Sequence, residues 1–189
     1  SAHGGAGGNG DPSSSSYLGS TTIYGSISRP ISFGSSIKQN KGGGAVRIVA
    51  SVGVVVETSG SISANGGGRY IGHHQGGASG GSILIETPLL AVGGVIAANG
   101  GDTSAIGREY SGGGGGGRIG IHTKSLSWLG NESQSRSSAM LVADGGRKIC
   151  TSQCYPGFPG TIFINASMLE DLIVSDGVTL NGLVAEAED

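Results

Sequence analysis

Apolar residues in this chain alternate with variable residues over short stretches that recur at long intervals. The clearest stretch has a glycine, one variable residue, and then the order apolar–any–apolar. It occurs four times, as Gly44-Ala-Val-Arg-Ile48, Gly81-Ser-Ile-Leu-Ile85, Gly117-Arg-Ile-Gly-Ile121 and Gly160-Thr-Ile-Phe-Ile164. The final isoleucines of successive copies are 37, 36 and 43 residues apart. Alternation over so few residues is typical of a short β-strand with one buried face.

A second motif follows each of the first three copies. It is Ile62-Ser-Ala-Asn-Gly-Gly67, then Ile96-Ala-Ala-Asn-Gly-Gly101, then Leu141-Val-Ala-Asp-Gly-Gly146, and Val174-Ser-Asp-Gly177 resembles a degraded fourth copy. Asn-Gly favours positive φ, so the motif predicts a strand that ends in a tight corner. A β-hairpin does not fit, because glycine and polar residues follow the corner instead of an alternating apolar strand.

Two motifs that recur in a fixed order, about 36 residues apart, predict an all-β fold. The period favours a parallel β-helix, or β-solenoid, with about four coils and long Gly-rich loops. A β-sandwich with a similar number of strands is the competing fold. In a solenoid the strands stack in register, with one inner column at Val46/Ile48, Ile83/Ile85, Ile119/Ile121 and Ile162/Ile164. An outward column would contain Val49, Glu86, His122 and Asn165, and a corner column would contain Asn65, Asn99 and Asp144.

The chain is expected to form one domain over residues 1–189. Residues 1–41 are an irregular Gly/Ser-rich entry segment, 42–176 are the stacked repeats, and 177–189 are a C-terminal strand with an acidic tail. Val178-Thr-Leu180 and Leu183-Val184 alternate enough to supply a strand to an open end. No polar capping helix is predicted, so we expect copies of the chain or neighbouring modules to stack end to end. The first residue is Ser1, which is typical of a processed piece of a longer protein.

Composition changes the picture mainly through glycine, which supplies 40 of the 189 residues. The chain is nevertheless 36% hydrophobic with a net charge of −2, which argues against disorder. The glycine tracts, from Gly66 to Gly81 and from Gly112 to Gly117, are expected to leave the coils as loops. Ordering such loops costs much entropy, so they should be ordered only where their backbones pack on one another.

Charge and hydropathy exclude two classes of partner. The 11 Lys and Arg residues are scattered, which argues against nucleic acid. No apolar run approaches the roughly 18 residues of a membrane span.

The cysteines and sequons indicate the secretory route. Cys150 and Cys154 lie close together and predict a local disulfide, with free thiols as the alternative, and no second Cys or His pair accompanies them to form a metal site. Asn131-Glu-Ser133 and Asn165-Ala-Ser167 are sequons for glycosylation. Together these features predict an extracellular or cell-surface protein.

The strings Gly-Gly-Gly-Ala-Val-Arg-Ile, Ser-Gly-Ser-Ile-Ser-Ala-Asn-Gly-Gly and Gly-Gly-Ser-Ile-Leu-Ile carry a resemblance. They are similar to the glycine-rich β-helical repeat modules of large extracellular and cell-surface proteins of algae, oomycetes, plants and bacteria. The resemblance covers about residues 3–164, and Ala2-His-Gly-Gly5 looks like a variant of the Ala-Asn-Gly-Gly corner. It implies a structural or adhesive role in a filament, appendage, sheath or wall layer, with no catalytic residue or cofactor. The Cys150–Cys154 insertion and residues 178–189 depart from the pattern.

The alternative function is a secreted β-helix that binds or cleaves carbohydrate. Its best candidate site is Glu86 beside His122 in the outward column, with Arg47 nearby, because adjacent Glu and His can act as acid and base. No second carboxylate joins this column, and an ordinary surface ion pair is the competing interpretation. We therefore expect no enzyme activity.

The remaining candidates are weaker. His73 and His74, with Asp102 and Glu109, could bind a metal only if the loops turned them inward, and exposed loop histidines are favoured. The glycine tracts lack the Lys-Ser/Thr of a phosphate-binding loop and the aspartates of a calcium-binding β-roll, so no cofactor or metal is expected.

Three aromatic side chains and ice binding are the last candidates for a functional role. Tyr70 and Tyr110 could stack on sugars or pack within the loops, and Trp128 is expected to fill the core or its edge. Ice binding would need a regular outward Thr or Ala array, and the outward column is irregular.

Overall fold

The computed structural model describes residues 2–7, 22–37, 39–68, 76–103, 111–129, 140–147, 154–166 and 183–184. Within these residues the chain is all-β, with 13 strands and no helix. The strands are β1 (Ala45–Val49), β2 (Val54–Val56), β3 (Ser61–Ser63), β4 (Ser82–Glu86), β5 (Leu89–Val92), β6 (Val95–Ala97), β7 (Ser111–Gly112), β8 (Arg118–Thr123), β9 (Ser125–Trp128), β10 (Met140–Val142), β11 (Cys154–Tyr155), β12 (Thr161–Ala166) and β13 (Leu183–Val184). This part of the chain contains no helix of the length and hydropathy that crossing a bilayer requires.

Each of the first three repeats contributes one strand to each of three sheets, and the fourth contributes β12 to the first sheet. Each strand pairs with its counterpart in the next repeat. The sheets have the orders β1-β4-β8-β12-β13, β2-β5-β9 and β3-β6-β10, with β7 and β11 as a separate pair. All pairings between these strands are parallel. The predicted all-β class is therefore confirmed, and a sandwich of antiparallel sheets does not fit.

The predicted register is confirmed along the main sheet. Ile48 aligns with Ile85, Ile85 with Ile121, and Ile121 with Ile164. Ile85 and Ile121 are 0% exposed and Ile164 is 5% exposed. Ile48 is only half-buried, which corrects the expectation that all four are buried. The reason is position, because β1 is the first strand of its sheet and no strand in the described part of the chain pairs with its other side.

The core fills the space between the three sheets. Side chains of β5 and β9 meet those of the main sheet and of β6 and β10, and the cluster includes Leu90, Val92, Ile96, Leu126 and Leu141. Trp128 packs partly buried against this cluster, as predicted.

The entry segment has a structural role that the sequence did not predict. Residues 22–36, here called the strap, lie across the outer face of the main sheet: Ser82 Oγ donates to Ser32 O at 2.6 Å, and Arg118 Nε donates to Tyr24 O at 3.1 Å. Outward residues of the main sheet, including Leu84 and Phe163, are consequently buried.

Gly120, in the middle of β8, allows this close approach. A Cβ there would lie 2.6 Å from Pro30 Cδ and 2.7 Å from Ser28 O. Glycine inside a strand often marks the place where another backbone comes close, so Gly120 was the available sequence signal.

Candidate functional site

The outward column that contains the candidate acid and base is formed as predicted. Pairing aligns Val49 with Glu86, Glu86 with His122, and His122 with Asn165. Glu86 and His122 are therefore adjacent, but each side chain bonds to other groups.

Glu86 is held by two arginines. Its Oε1 accepts from Arg29 Nη1 at 2.7 Å, and its Oε2 accepts from Arg47 Nη2 at 2.7 Å and Nε at 2.9 Å. The hydrogen bond from Arg47 is the main cause that lowers the pKa of Glu86. Burial opposes it, and the charges of Arg47 and Arg29 lower the pKa further. Glu86 is therefore a carboxylate that clamps the strap to the sheet, and it has no proton to give as a general acid.

His122 is also bound to the strap. Its Nε2 lies 2.7 Å from Ser28 O, and its ring contacts that of Phe163 at 5.6 Å between centroids. A carbonyl oxygen can only accept, so Nε2 carries the proton and donates it to Ser28. This bond leaves Nε2 unsuited to act as a base.

A shallow groove of about 430 Å³ runs beside this column, lined in part by Thr87, Lys124 and Asn165. Among its described lining residues, Glu86 is the one carboxylate. Asn165 is half-buried in the groove wall, and its glycosylation stays a prediction.

Several other predicted residues lie outside the described part of the chain. They are Tyr70, His73, His74, Glu109, Tyr110, Asn131, Cys150, and the segments 174–177 and 178–180. Cys154 begins β11, and the disulfide stays a prediction. Asp102 is described, and it pairs with Arg147 at 2.9 Å. The described residues contain no group of three or more His, Cys, Asp or Glu side chains placed to hold a metal ion.

The corner column forms a hydrogen-bonded ladder. Asn99 N donates to Asn65 Oδ1 at 2.7 Å, and Asp144 N donates to Asn99 Oδ1 at 2.9 Å. The predicted stacking of Asn65, Asn99 and Asp144 is thus confirmed. The prediction of a tight corner with positive φ is wrong. Among the described glycines Gly25 has a positive φ, and the glycines of the Asn-Gly-Gly motifs do not. The chain continues past the ladder in an extended conformation.

The glycine tracts form a packed bundle of extended segments beside the strands. We name three rows in this glycine bundle by their place in the repeat. The corner row is 64–68, 98–103 and 143–147, the entry row is 41–44, 76–81, 112–117 and 155–160, and the outer row is 2–7 and 32–36. Corner and entry rows run antiparallel, since Gly114 N donates to Gly101 O while Gly117 N donates to Ala98 O.

The segment 112–117 shows how each backbone is surrounded. Residues three apart bond to the same neighbour. Gly112 and Gly115 accept from Gly77 and Gly80, Gly113 and Gly116 donate to Tyr155 and Phe158, and Gly114 and Gly117 donate to Gly101 and Ala98, at 2.6–3.0 Å. Three residues per turn without internal hydrogen bonds is the geometry of a polyproline II helix.

For the described parts of the glycine tracts, 66–68, 76–81 and 112–117, the bundle corrects the prediction that they leave the coils as loops. The described residues from Gly77 to Gly81 and from Gly113 to Gly117 are buried. A Cβ on Gly114 would lie 1.9 Å from Ala78 O, and one on Gly77 would lie 1.8 Å from Gly101 O. Glycine is required for close approach of backbones, and the expectation that ordered tracts pack on one another is confirmed.

His3 lies in the outer row and does not extend the Asn ladder. It is 0% exposed, its Nδ1 lies 3.1 Å from Gly80 O, and its Nε2 is buried with no partner in the described structure. Its ring contacts that of Tyr24 at 4.8 Å between centroids. Burial, and then the charge of Arg118, lower the pKa of His3 below its ordinary value of 6.5. The similarity of Ala2-His-Gly-Gly5 to a corner motif therefore does not give it a corner position.

A comparison of the chain with family models, with curated proteins and with solved structures finds no match.

Proposed function

We propose that this chain is a structural module of an extracellular filament, sheath, appendage or wall layer. In this proposal the three sheets are the faces of a parallel β-solenoid of about four coils, with the glycine bundle along one side. The observation that carries the proposal is the buried bundle itself. Its interior is backbone in contact with backbone, as Gly117 shows, where a Cβ would lie 2.1 Å from Gly81 O.

The physical argument rests on the conformational entropy that is lost when glycine is ordered. Glycine loses more conformational entropy on folding than any other residue. A chain that orders many of them in adjacent rows offsets that cost with hydrogen bonds in several directions. The product is a rigid body with few side chains for chemistry, which suits a spacer or scaffold better than a catalyst.

The extracellular part of the proposal rests on Cys150, Cys154, Asn131 and Asn165. Intact-mass analysis of protein from a secreting eukaryotic host is expected to show one disulfide and at least one glycan. Two free thiols and an unmodified mass would contradict the secretory assignment.

Negative-stain imaging of the native material tests the structural role. Filaments or layers that bind antibodies against this chain are the expected result. A native material made of dispersed particles would overturn the proposal.

One observation favours the carbohydrate alternative, namely the groove beside Glu86, His122, Lys124 and Asn165. The arginine clamp on Glu86 and the bond from His122 to the strap oppose a catalytic role for either group. Release of reducing ends from cell-wall polysaccharide that is lost in E86Q would establish the alternative. We expect no release from either protein.

A further inference from the structure

Three strand edges lie together at one end of the described sheets, with no described strand beyond them. β1, β2 and β3 are each the terminal strand of a sheet, and they are consecutive in the chain. We call these three strands the first-coil edge. Its side chains include Val49 and Val55, which are 64% and 59% exposed, and Val52 between β1 and β2 is 76% exposed.

Backbone groups on this edge point outward in a regular order. Ser82 N donates to Gly44 O and Ala50 N donates to Glu86 O, so even-numbered residues of β1 face β4. Since backbone direction alternates along a strand, the N–H and C=O groups of Ala45, Arg47 and Val49 face away from the sheet.

The same reasoning applies to β3. Val95 N donates to Gly60 O, and Ala64 N donates to Ala97 O. The backbone groups of Ser61 and Ser63 therefore face outward, and the N–H of Asn65 follows them. None of the described backbone groups pairs with this row, and a row of unpaired strand groups is a template for another strand.

The apolar column also ends here half-covered. Val46, Ile48, Val54 and Ile62 are half-buried, whereas their partners in the next coil, Ile83, Ile85, Leu90 and Ile96, are at most 1% exposed. The second coil shows what covers such a surface, because it is buried by coils of the same construction on both sides. The missing cover has the shape and chemistry of one more coil.

The hydrogen bonds between Asn65, Asn99 and Asp144 show in which orientation another coil can cover the first-coil edge. Each corner N–H donates toward the preceding coil, from Asp144 to Asn99 and from Asn99 to Asn65. Asn65 N–H is the next donor, and it needs an acceptor side chain from a coil that precedes it. Two first-coil edges placed face to face would set donor against donor at this corner.

We propose that the first-coil edge binds the C-terminal end of a second copy of this chain, head to tail and with parallel strands. This inference rests on the proposed structural function. At the C-terminal end, Leu183 and Val184 pair in parallel with Ile162 and Phe163 of the same chain. The predicted strand at Leu183-Val184 therefore forms, and it pairs within its own chain. In this proposal β1 of the next copy pairs with β13, the last described strand of the main sheet.

Sedimentation velocity over a wide concentration range tests the proposal on the intact chain. A head-to-tail contact does not close on itself, so the expected result is open-ended growth of oligomers with concentration. The double variant V49P/S63P removes two outward N–H groups without removing a bond to β4 or β6, because proline is tolerated on the free side of an edge strand. It is expected to remain monomeric at concentrations at least tenfold above those at which the wild type assembles.

The matched control is V49T/S63T, which keeps both N–H groups and is expected to assemble like the wild type. Circular dichroism must show both variants folded, and if V49P/S63P does not fold, V49P alone replaces it.

A wild type that stays monomeric, or that stops at a dimer, would overturn the head-to-tail proposal. Filaments in the native material together with a monomeric purified chain would contradict the head-to-tail inference and leave the structural function intact. Head-to-tail assembly combined with polysaccharide cleavage would contradict the structural function and leave the head-to-tail contact intact.

Discussion

Glycines in the interior of the bundle and at its exposed margin differ in what surrounds the position of a Cβ. A Cβ on Gly114 would lie 1.9 Å from Ala78 O, whereas one on Gly44 would meet no atom within 4 Å. Gly114→Ala is expected to destabilise the chain by about 1–3 kcal/mol or more, because backbone has to move. Gly44→Ala should stay within about 0.5 kcal/mol of the wild type. Urea unfolding measures both, and equal stabilities would mean that the rows are not in contact.

His3 makes a second prediction at the scale of one residue. Its pKa is below 6.5 in the folded chain because of burial and the charge of Arg118, and it returns to about 6.5 on unfolding. The unfolded chain therefore binds a proton that the folded chain resists, so stability falls as the pH drops below about 6.5. The carboxylate of Glu86 adds a separate loss at lower pH, as the pH falls below 4.5 toward its lowered pKa.

Melting temperatures between pH 7 and about pH 3.5 test this assignment, because the range includes the losses expected from both groups. His3→Leu should flatten the dependence near pH 6 and leave the loss at lower pH in place. An unchanged slope near pH 6 in His3→Leu would show that another group is responsible.

At the scale of elements, strands were predictable and the bundle was not. Alternation in segments such as Ile83-Leu-Ile85 gave both the strands and their register, because a one-residue slip would turn every apolar side chain outward. A polyproline II segment buries its backbone and leaves no such period. Asn-Gly therefore suggested a turn, although its glycine was needed for close contact.

The strap and the candidate acid–base pair were missed for related reasons. The strap bonds to side chains of the sheet mostly through its own carbonyl groups. Every residue has a carbonyl group, so these contacts leave no pattern in the sequence. Sequence could place Glu86 beside His122, but it could not show that Arg29 and Ser28 of the strap bind them.

Gly120 tests the strap as an element. Gly120→Ala sets a methyl group 2.6 Å from Pro30 Cδ and 2.7 Å from Ser28 O, so the strap must lift from the sheet. We expect chymotrypsin to cut at Tyr24 and Phe33 several-fold faster than in the wild type, with a stability loss of about 1–3 kcal/mol. Gly53→Ala is the control, because its nearest neighbours lie at an ordinary 3.4 Å. Equal cleavage rates in the two variants would show that the strap does not rest on Gly120.

At the scale of the whole molecule, three alanines join the sheets to the bundle. Ala64, Ala98 and Ala143 belong to the buried core. Their carbonyl groups accept from Gly81, Gly117 and Gly160 of the entry row at 2.6–2.7 Å. Each alanine thus packs its methyl group among the strands and bonds its backbone within the bundle, with no linker between the two parts.

This arrangement predicts one cooperative unfolding transition. Stacked repeats stabilise one another through their shared contacts, and here the same residues join the stacked strands to the rows of the bundle. Urea unfolding followed by circular dichroism should give the same midpoint for the β-sheet signal and for the polyproline II signal. Gly114→Ala, which disturbs the bundle alone, should lower both midpoints equally. A sheet signal that survives after the polyproline II signal is lost would show that the bundle is an independent appendage of the strands.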